Sequence, residues 1–465
     1  MFRSDLGWFR PAALIVVALT CARWALLVLD RTDLYVDESQ YWLWGQEFAF
    51  GYYSKPPLIG WLIGAVTTLA GSDTVFWVRM PGAALHGATA LILAAWAARW
   101  MGRREAVLTA AVYASLPMAA LGSLLISTDT VMAPFYAAAL YFFARLTEAR
   151  APRFALLAGA AIGAAFMAKY AAVYFLIGVA LIQIAPAYRI GWRNGALMLA
   201  AFAAVISPNI WWNLSHKLTT FSHTVDNVGW LRSGAALHPA GMVEFLLSQA
   251  AVVGPVVLIA MLIGVRRVPA MAAFVLPPLL VVTVQALLGT AQANWAIAAY
   301  FAGTVLAVRV LTAHWNLLIA SFGVNAVFCL GLPLLTIFTS LTFPSGRPLL
   351  DRQLGRVQMS QQIIALAHEN GDLPVLAMPR DILADLFYTG ADSGLTFYAP
   401  RPTGRAQNHY EQRYPLPQGL TGKLLLITNA PPACAGPALP LQAKGGAYAK
   451  WQLAAYVVEA ACVAP

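Results

Sequence analysis

Leu34-Tyr35-Val36-Asp37-Glu38-Ser39-Gln40-Tyr41-Trp42-Leu43-Trp44, followed by Gly51-Tyr52-Tyr53-Ser54-Lys55-Pro56-Pro57-Leu58, is the least average stretch of the chain. Two adjacent carboxylates, clustered aromatic rings and one lysine stand directly after an apolar run at 11–29. Such a run matches the roughly 20 largely apolar residues that cross a bilayer. The stretch therefore reads as the first loop of a membrane protein, and composition agrees. Of 465 residues, 60% are hydrophobic and 11% charged, whereas soluble domains carry roughly a quarter charged residues. The net charge of +10 does not point to nucleic acid, because Lys and Arg punctuate apolar runs instead of gathering on one face. The expected surroundings are membrane lipids.

Ten more apolar runs lie near 79–100, 105–122, 130–146, 154–168, 170–187, 195–212, 240–264, 270–288, 295–312 and 315–342, giving an all-α polytopic protein of about eleven spans. Arg3 and Arg10 precede the first run, which puts the N-terminus in the cytoplasm. That run lacks a cleavage-site pattern and is read as a retained helix. Alternation then places Arg103, Arg104, Arg145, Arg193, Arg266 and Arg309 inside, and Asp30, Asp37, Glu38, Asp73, Asp129 and Asp226 outside. The apolar segment 56–70 is 15 residues long, too short to span, and reads as interfacial or re-entrant.

After Phe343 charged and polar residues return at ordinary frequency, which divides the chain into a membrane domain at 1–343 and a tail at 344–465. Short apolar runs at 373–378 and 423–428 look like buried strands, with a helix-like segment at 381–388 between them. The tail is expected to be a small α/β domain on the periplasmic side. Cys434 and Cys462 lack the close spacing of a zinc site and read as one disulfide in an oxidising compartment. Cys21 and Cys329 read as small buried hydrophobes.

The first loop has a bland reading, an interfacial helix with an aromatic belt and solvated acids. The chemical reading makes Asp37, beside Glu38, a general base for an attacking hydroxyl, with Lys55 holding a phosphate as a point charge. Ser127-Thr128-Asp129-Thr130 suits helix capping. Capping leaves Asp129 available as a second carboxylate on the outer side. Lys169 either snorkels or adds a second phosphate contact. Ser207-Pro208-Asn209-Ile210-Trp211-Trp212-Asn213 is also outer, with His216 and His223 following. Its Trp pair reads as an interface anchor, and the histidines have no zinc spacing. The chain has no Gly-x-Gly-x-x-Gly after a strand, no P-loop and no paired-Asp sugar-nucleotide signature.

Asp37-Glu38, the aromatic pair before Lys55-Pro56-Pro57, and Asp129 at the start of the fourth span resemble the GT-C glycosyltransferases of the aminoarabinose transferase and protein mannosyltransferase superfamily (glycosyltransferase families 39 and 83). Val36 to Trp44, Gly51 to Leu58, Ser207 to Asn213 and Ala293-Asn294-Trp295-Ala296 resemble the branch of rhizobial lipopolysaccharide galacturonosyltransferases. The likeness covers about residues 10–340.

This resemblance implies an inverting transferase in the bacterial inner membrane. It would move a sugar, in that branch a uronic acid, from a polyprenyl-phosphate donor to a glycolipid such as lipid A at the periplasmic face. It matches Asp37 and Asp129 to the family's acidic positions, Lys55 to the lysine that contacts the lipid phosphate, and Tyr41 and Tyr52 to aromatic positions of the pocket; beside these, Glu38 is a catalytic candidate, Lys169 a second phosphate ligand, and Tyr53, His216 and His223 candidate pocket residues. Ser54 stands where the aminoarabinose transferases have a metal-binding Glu, which argues against a bound divalent metal. Gln40 replaces a basic residue. The competing readings are a protein O-glycosyltransferase, a lipid-linked sugar transporter or flippase, and a membrane scaffold. A transporter would carry ionisable residues within its spans, where Arg23 is the main exception.

Overall fold

A computed structural model of the chain describes residues 6–226, 228, 234, 236–443 and 445–463. Arg3, used above for orientation, lies outside the described residues. The chain forms two compact units. The first takes in Met1–Val28, Lys55–Leu62 and Arg79–Leu334; the second takes in Leu29–Ser54, Ile63–Val78 and Leu335–Pro465. The tail domain thus extends beyond the boundary drawn from composition, because it includes most of the first loop.

The apolar runs become helices. Among the described residues five are long and apolar enough to cross a membrane: Phe9–Val28, Val75–Trp100, Trp192–Ser215, Pro269–Leu288 and Trp315–Ile337. The run at 240–264 is not one straight span, which corrects the sequence reading. It is the pair Pro239–Val253 and Pro255–Arg267, bent by 104°. Gly254 turns the chain at φ +83°, and Pro255 starts the next helix, where its missing N–H costs nothing. Counting the pair as one span gives six. The other apolar segments are shorter: Leu58–Ala70, Pro152–Ala168, Tyr170–Ile182 and Ala298–Leu311 have 10–17 residues. The run at 105–122 breaks at Pro117 into Arg103–Ser115 and Pro117–Leu121.

Lipid gives helices no hydrophobic reason to associate, so close backbone approach has to hold them. Gly159 and Gly163 provide it on Pro152–Ala168: a Cβ at Gly159 would run into the Met198 carbonyl, and one at Gly163 would lie 2.7 Å from Val205 Cβ. The same environment explains Cys21, which is exposed on its helix instead of buried, since an outer face toward lipid suits a small hydrophobe equally well.

In the second unit five strands form one sheet in the order β2-β1-β3-β5-β4, with β1 Val375–Ala377, β2 Phe397–Tyr398, β3 Lys423–Thr428, β4 Leu439–Pro440 and β5 Ala454–Glu459. β1 lies parallel between β2 and β3, and β5 is antiparallel to both β3 and β4. β3 is buried on both faces, as its near-continuous apolar run demands. Leu376, Leu424, Leu426 and Val458 form the core of one face, with Cys462 packed against it.

Cys434 and Cys462 form a disulfide, 28 residues apart in sequence with Cα atoms at 6.1 Å. Replacing both by Ser is expected to cost about 3–4 kcal/mol in the chain-entropy account of cross-links. The check is thermal unfolding of the full chain purified without reductant. An unchanged midpoint would show that the bond does not stabilise the domain.

The first loop is tied into this domain at several points. Asp33 Oδ2 accepts from the backbone N–H of Arg356 at 2.8 Å, capping helix Arg356–Glu369 from a distant part of the chain. Trp42 Nε1 donates to Asp73 at 2.9 Å and its ring meets Tyr388 edge-on. Arg413 and the Tyr414 hydroxyl both bind the Glu47 carboxylate, and Tyr53 donates to the Ala406 carbonyl.

Candidate functional site

In the second unit the helix Val36–Gln46 carries the acidic pair on its first turn. The two carboxylates have different fates. Glu38, at 2% exposure, turns back and accepts the Tyr35 backbone N–H at 2.9 Å, satisfying an orphan donor of the helix start. Glu38 is thereby engaged in shaping the turn. Asp37 points out, with its side chain 47% exposed. Its partner is Arg380, whose Nη2 donates to Asp37 Oδ1 at 2.6 Å and to Gln40 Oε1 at 3.1 Å, while Nε reaches Gln40 Oε1 at 3.3 Å. Arg380 comes from the tail, and sequence reasoning missed it.

The aromatic residues of this loop pack into a buried wall. Trp44, almost fully buried, stacks on Tyr52 at 4.8 Å and meets Tyr41 at 5.3 Å. The Tyr52 hydroxyl donates to the carbonyls of Trp44 and Glu47 at 2.6 and 2.8 Å. Tyr52 and Tyr53 therefore use their hydroxyls on backbone and are buried. Ser54 Oγ is 3.5 Å from Gln40 Nε2. Among the described residues no three His, Cys, Asp or Glu side chains converge as metal ligands.

His409 closes the far side of the wall, edge-on to Trp44 at 5.8 Å. Burial pushes its imidazole down to about 3; Glu47 pulls the other way, while Arg413 and Arg380 lower it further. The unfolded imidazole titrates near 6.5, so the neutral form stabilises the fold fully above that pH, and this contribution is lost as pH falls from about 6.5 toward 3. By pH 5 the loss is about 2 kcal/mol. His409→Phe, which cannot titrate, is expected to flatten the fall in melting temperature between pH 7 and pH 5. An equally steep fall in the variant would remove His409 as the cause.

In the first unit the second acidic position sits as its sequence suggests. Ser127 is the N-cap of helix Thr128–Ala149, accepting the Thr130 N–H at 3.3 Å, which leaves Asp129 to other work. Asp129, 5% exposed, accepts from Lys169 Nζ on Oδ1 and from Asn294 Nδ2 on Oδ2, both at 2.6 Å. The Lys169 ammonium neutralises this buried carboxylate.

The surrounding motif holds this arrangement. Asn209 and Asn213, one turn apart on Trp192–Ser215, both bind the hydroxyl of Tyr170, next to Lys169. Asn294 lies in the short 3-10 helix Ala293–Ala296. The motif containing it was visible in the sequence, but nothing local singled out its side chain.

Trp211 is 75% exposed, as an interface anchor should be. His216 stacks on Trp212 at 4.1 Å, and His223 lies on helix Thr219–Asp226. Lys55 is partly buried. His86 is buried and bonds Tyr113 and Thr130 through its two ring nitrogens, a structural role. Arg23 is likewise buried and donates to the Ala114 carbonyl.

A helical membrane body with a buried carboxylate, and a small tail domain that organises the first loop, belong to a membrane glycosyltransferase of the GT-C class, the family of which this chain is a member. Across 98% of its length the chain is 39% identical to the lipid A galacturonosyltransferase RgtD of Rhizobium johnstonii, covering 99% of that protein. The family model for dolichyl-phosphate-mannose-protein mannosyltransferases matches residues 54–212. The crystal structure of ArnT from Cupriavidus metallidurans in the apo state superposes with a TM-score of 0.62 at 13% identity, over 100% of both chains. The form bound to undecaprenyl phosphate gives 0.65 at 14% identity, over 99% of this chain and 100% of that one. At such identities these two structures establish the fold.

Proposed function

We propose that the chain transfers a uronic acid, with inversion, from a polyprenyl-phosphate donor to lipid A or a related glycolipid at the periplasmic face of the inner membrane. The observation that carries this reading is the near full-length identity to a lipid A galacturonosyltransferase. The disulfide of the tail supports the periplasmic side, since such bonds persist in oxidising compartments, and the eleven-span topology belongs to the same proposal.

In the reaction the acceptor hydroxyl oxygen attacks the anomeric carbon opposite the phosphate. The bond from that carbon to the phosphate oxygen breaks, and polyprenyl phosphate departs with the electron pair. The hydroxyl proton passes to Asp37. Its exposed carboxylate, on the first turn of a helix braced by buried aromatic rings, can present an oxygen to an incoming hydroxyl. Lys55 is the proposed ligand of the donor phosphate, as a point charge.

The test is incubation of the purified chain with polyprenyl-phosphate galacturonic acid and lipid A, read by mass spectrometry, alongside lipid A from a deletion strain. Loss of a uronic acid increment in that strain is expected. A protein hydroxyl as acceptor is the second reading, favoured by the mannosyltransferase family match at 54–212. An unchanged lipid A with a lost protein glycoform would establish it.

A further inference from the structure

Arg380 stands in an odd place. It is the first residue of helix Arg380–Thr389, where the positive end of the helix dipole disfavours a cation. Its side chain is 36% exposed and that of its partner Asp37 is 47% exposed, and so open an ion pair stabilises a fold little. The neighbouring Asp381 leans toward Arg356, 3.9 Å away, and does not relieve it. Among the described residues Arg380 uses Nη2 and Nε on Asp37 and Gln40, while Nη1 donates to nothing.

A planar guanidinium and a helix N-terminus together are suited to an oxyanion, and a fork of this kind binds carboxylate or phosphate through two N–H groups. Here the oxyanion it holds is Asp37, whose carboxylate the proposed reaction needs for the acceptor proton. A carboxylate oxygen accepting a charge-assisted bond at 2.6 Å has its lone pair engaged. The two demands are reconciled if Arg380 exchanges one oxyanion for another.

We propose that Arg380 is a donor ligand supplied by the tail. On donor arrival its guanidinium passes from Asp37 to an oxyanion of the donor, either the lipid phosphate or the carboxylate of a uronic acid, and Asp37 is released to take the acceptor proton. Gln40 stays bound to Nε and keeps the fork in the loop. This inference rests on the proposed donor class. The exchange moves hydrogen bonds only; no covalent bond is made or broken by it.

The experiment uses the full chain in lipid nanodiscs and measures binding of three probes: polyprenyl phosphate without sugar, polyprenyl-phosphate galacturonic acid, and a polyprenyl-phosphate neutral hexose. Losing a hydrogen bond to a charged group is worth about 10- to 100-fold in affinity. Arg380→Gln is therefore expected to weaken binding by that factor and to raise the donor KM while leaving kcat at saturating donor within a few fold. Weakening of all three probes identifies the phosphate; weakening of the galacturonic acid donor alone identifies the carboxylate. Gln40→Arg added to Arg380→Gln should restore part of the affinity by returning a guanidinium to the same corner. Should Arg380→Gln fail to fold, Arg380→Lys replaces it, with a smaller rise in KM, since the charge remains and the fork is lost. Unchanged affinity for every probe, or a fall in kcat with donor KM unchanged, overturns the proposal. If the wild-type chain binds the probes but transfers no sugar, the function reading fails, and the binding results still decide the role of Arg380.

Discussion

Asp37→Asn is expected to lower sugar transfer about 10²–10⁴-fold, the usual contribution of a positioned general base. The substitution keeps the size and much of the hydrogen bonding of the side chain, so Arg380 retains an acceptor at the same place. Fold and donor binding should survive, and the loss should fall on kcat. Asp37 is singled out because its neighbour on the same turn is already engaged: Glu38 holds the Tyr35 backbone, and Asp37 alone faces outward. The measurement is single-turnover transfer from a polyprenyl-phosphate donor by purified variants. Near wild-type turnover in Asp37→Asn, with an inactive but folded Asp129→Asn, would exchange the two roles.

The second large effect concerns stability. Asp129 and Lys169 form a buried ion pair, with side chains 6% and 15% exposed, and Asn294 satisfies the other carboxylate oxygen. Removing one partner leaves an uncompensated buried charge, which costs about 3–5 kcal/mol. Lys169→Met should therefore lower the melting temperature sharply, and Asp129→Asn combined with it should recover most of the loss, because the double variant has neither charge. Additive losses in the double variant would show that the two residues act independently. A recovered fold without recovered activity would assign the pair a chemical role as well.

The membrane helices were legible because hydropathy is a local property: the runs at 11–29, 195–212 and 270–288 each became a helix of 20–24 residues. The bend at Gly254 was less so. Glycine followed by proline announces a break, but its angle is set by packing. The tail strands at 375–377 and 423–428 declared themselves by short apolar runs bounded by turn residues.

The site was legible only in halves. Asp37 and Asp129 stood out as acids beside apolar sequence, yet their partners come from elsewhere: Arg380 is 343 residues from Asp37, and Asn294 is 165 from Asp129. No periodicity or spacing carries such a pairing. The partner of Lys169 was hidden for a related reason, since a lysine at the end of an apolar run looks solitary until the fold supplies its carboxylate. The burial of Tyr52 and Tyr53 was not legible, because an aromatic cluster has the same composition whether it lines a cavity or fills one.

The ties between the first loop and the tail carry a consequence for biogenesis. Asp33, Asp37, Glu47 and Tyr53 are made 323 to 366 residues before their partners Arg356, Arg380, Arg413 and Ala406. At a synthesis rate of roughly 5–20 residues per second, about 20 to 70 seconds separate Asp37 from Arg380. Throughout that interval the loop lacks the partners that fix its shape. A chain that stops before Arg356 lacks these four ties, so the first loop is expected to take its final shape only after the tail has been made.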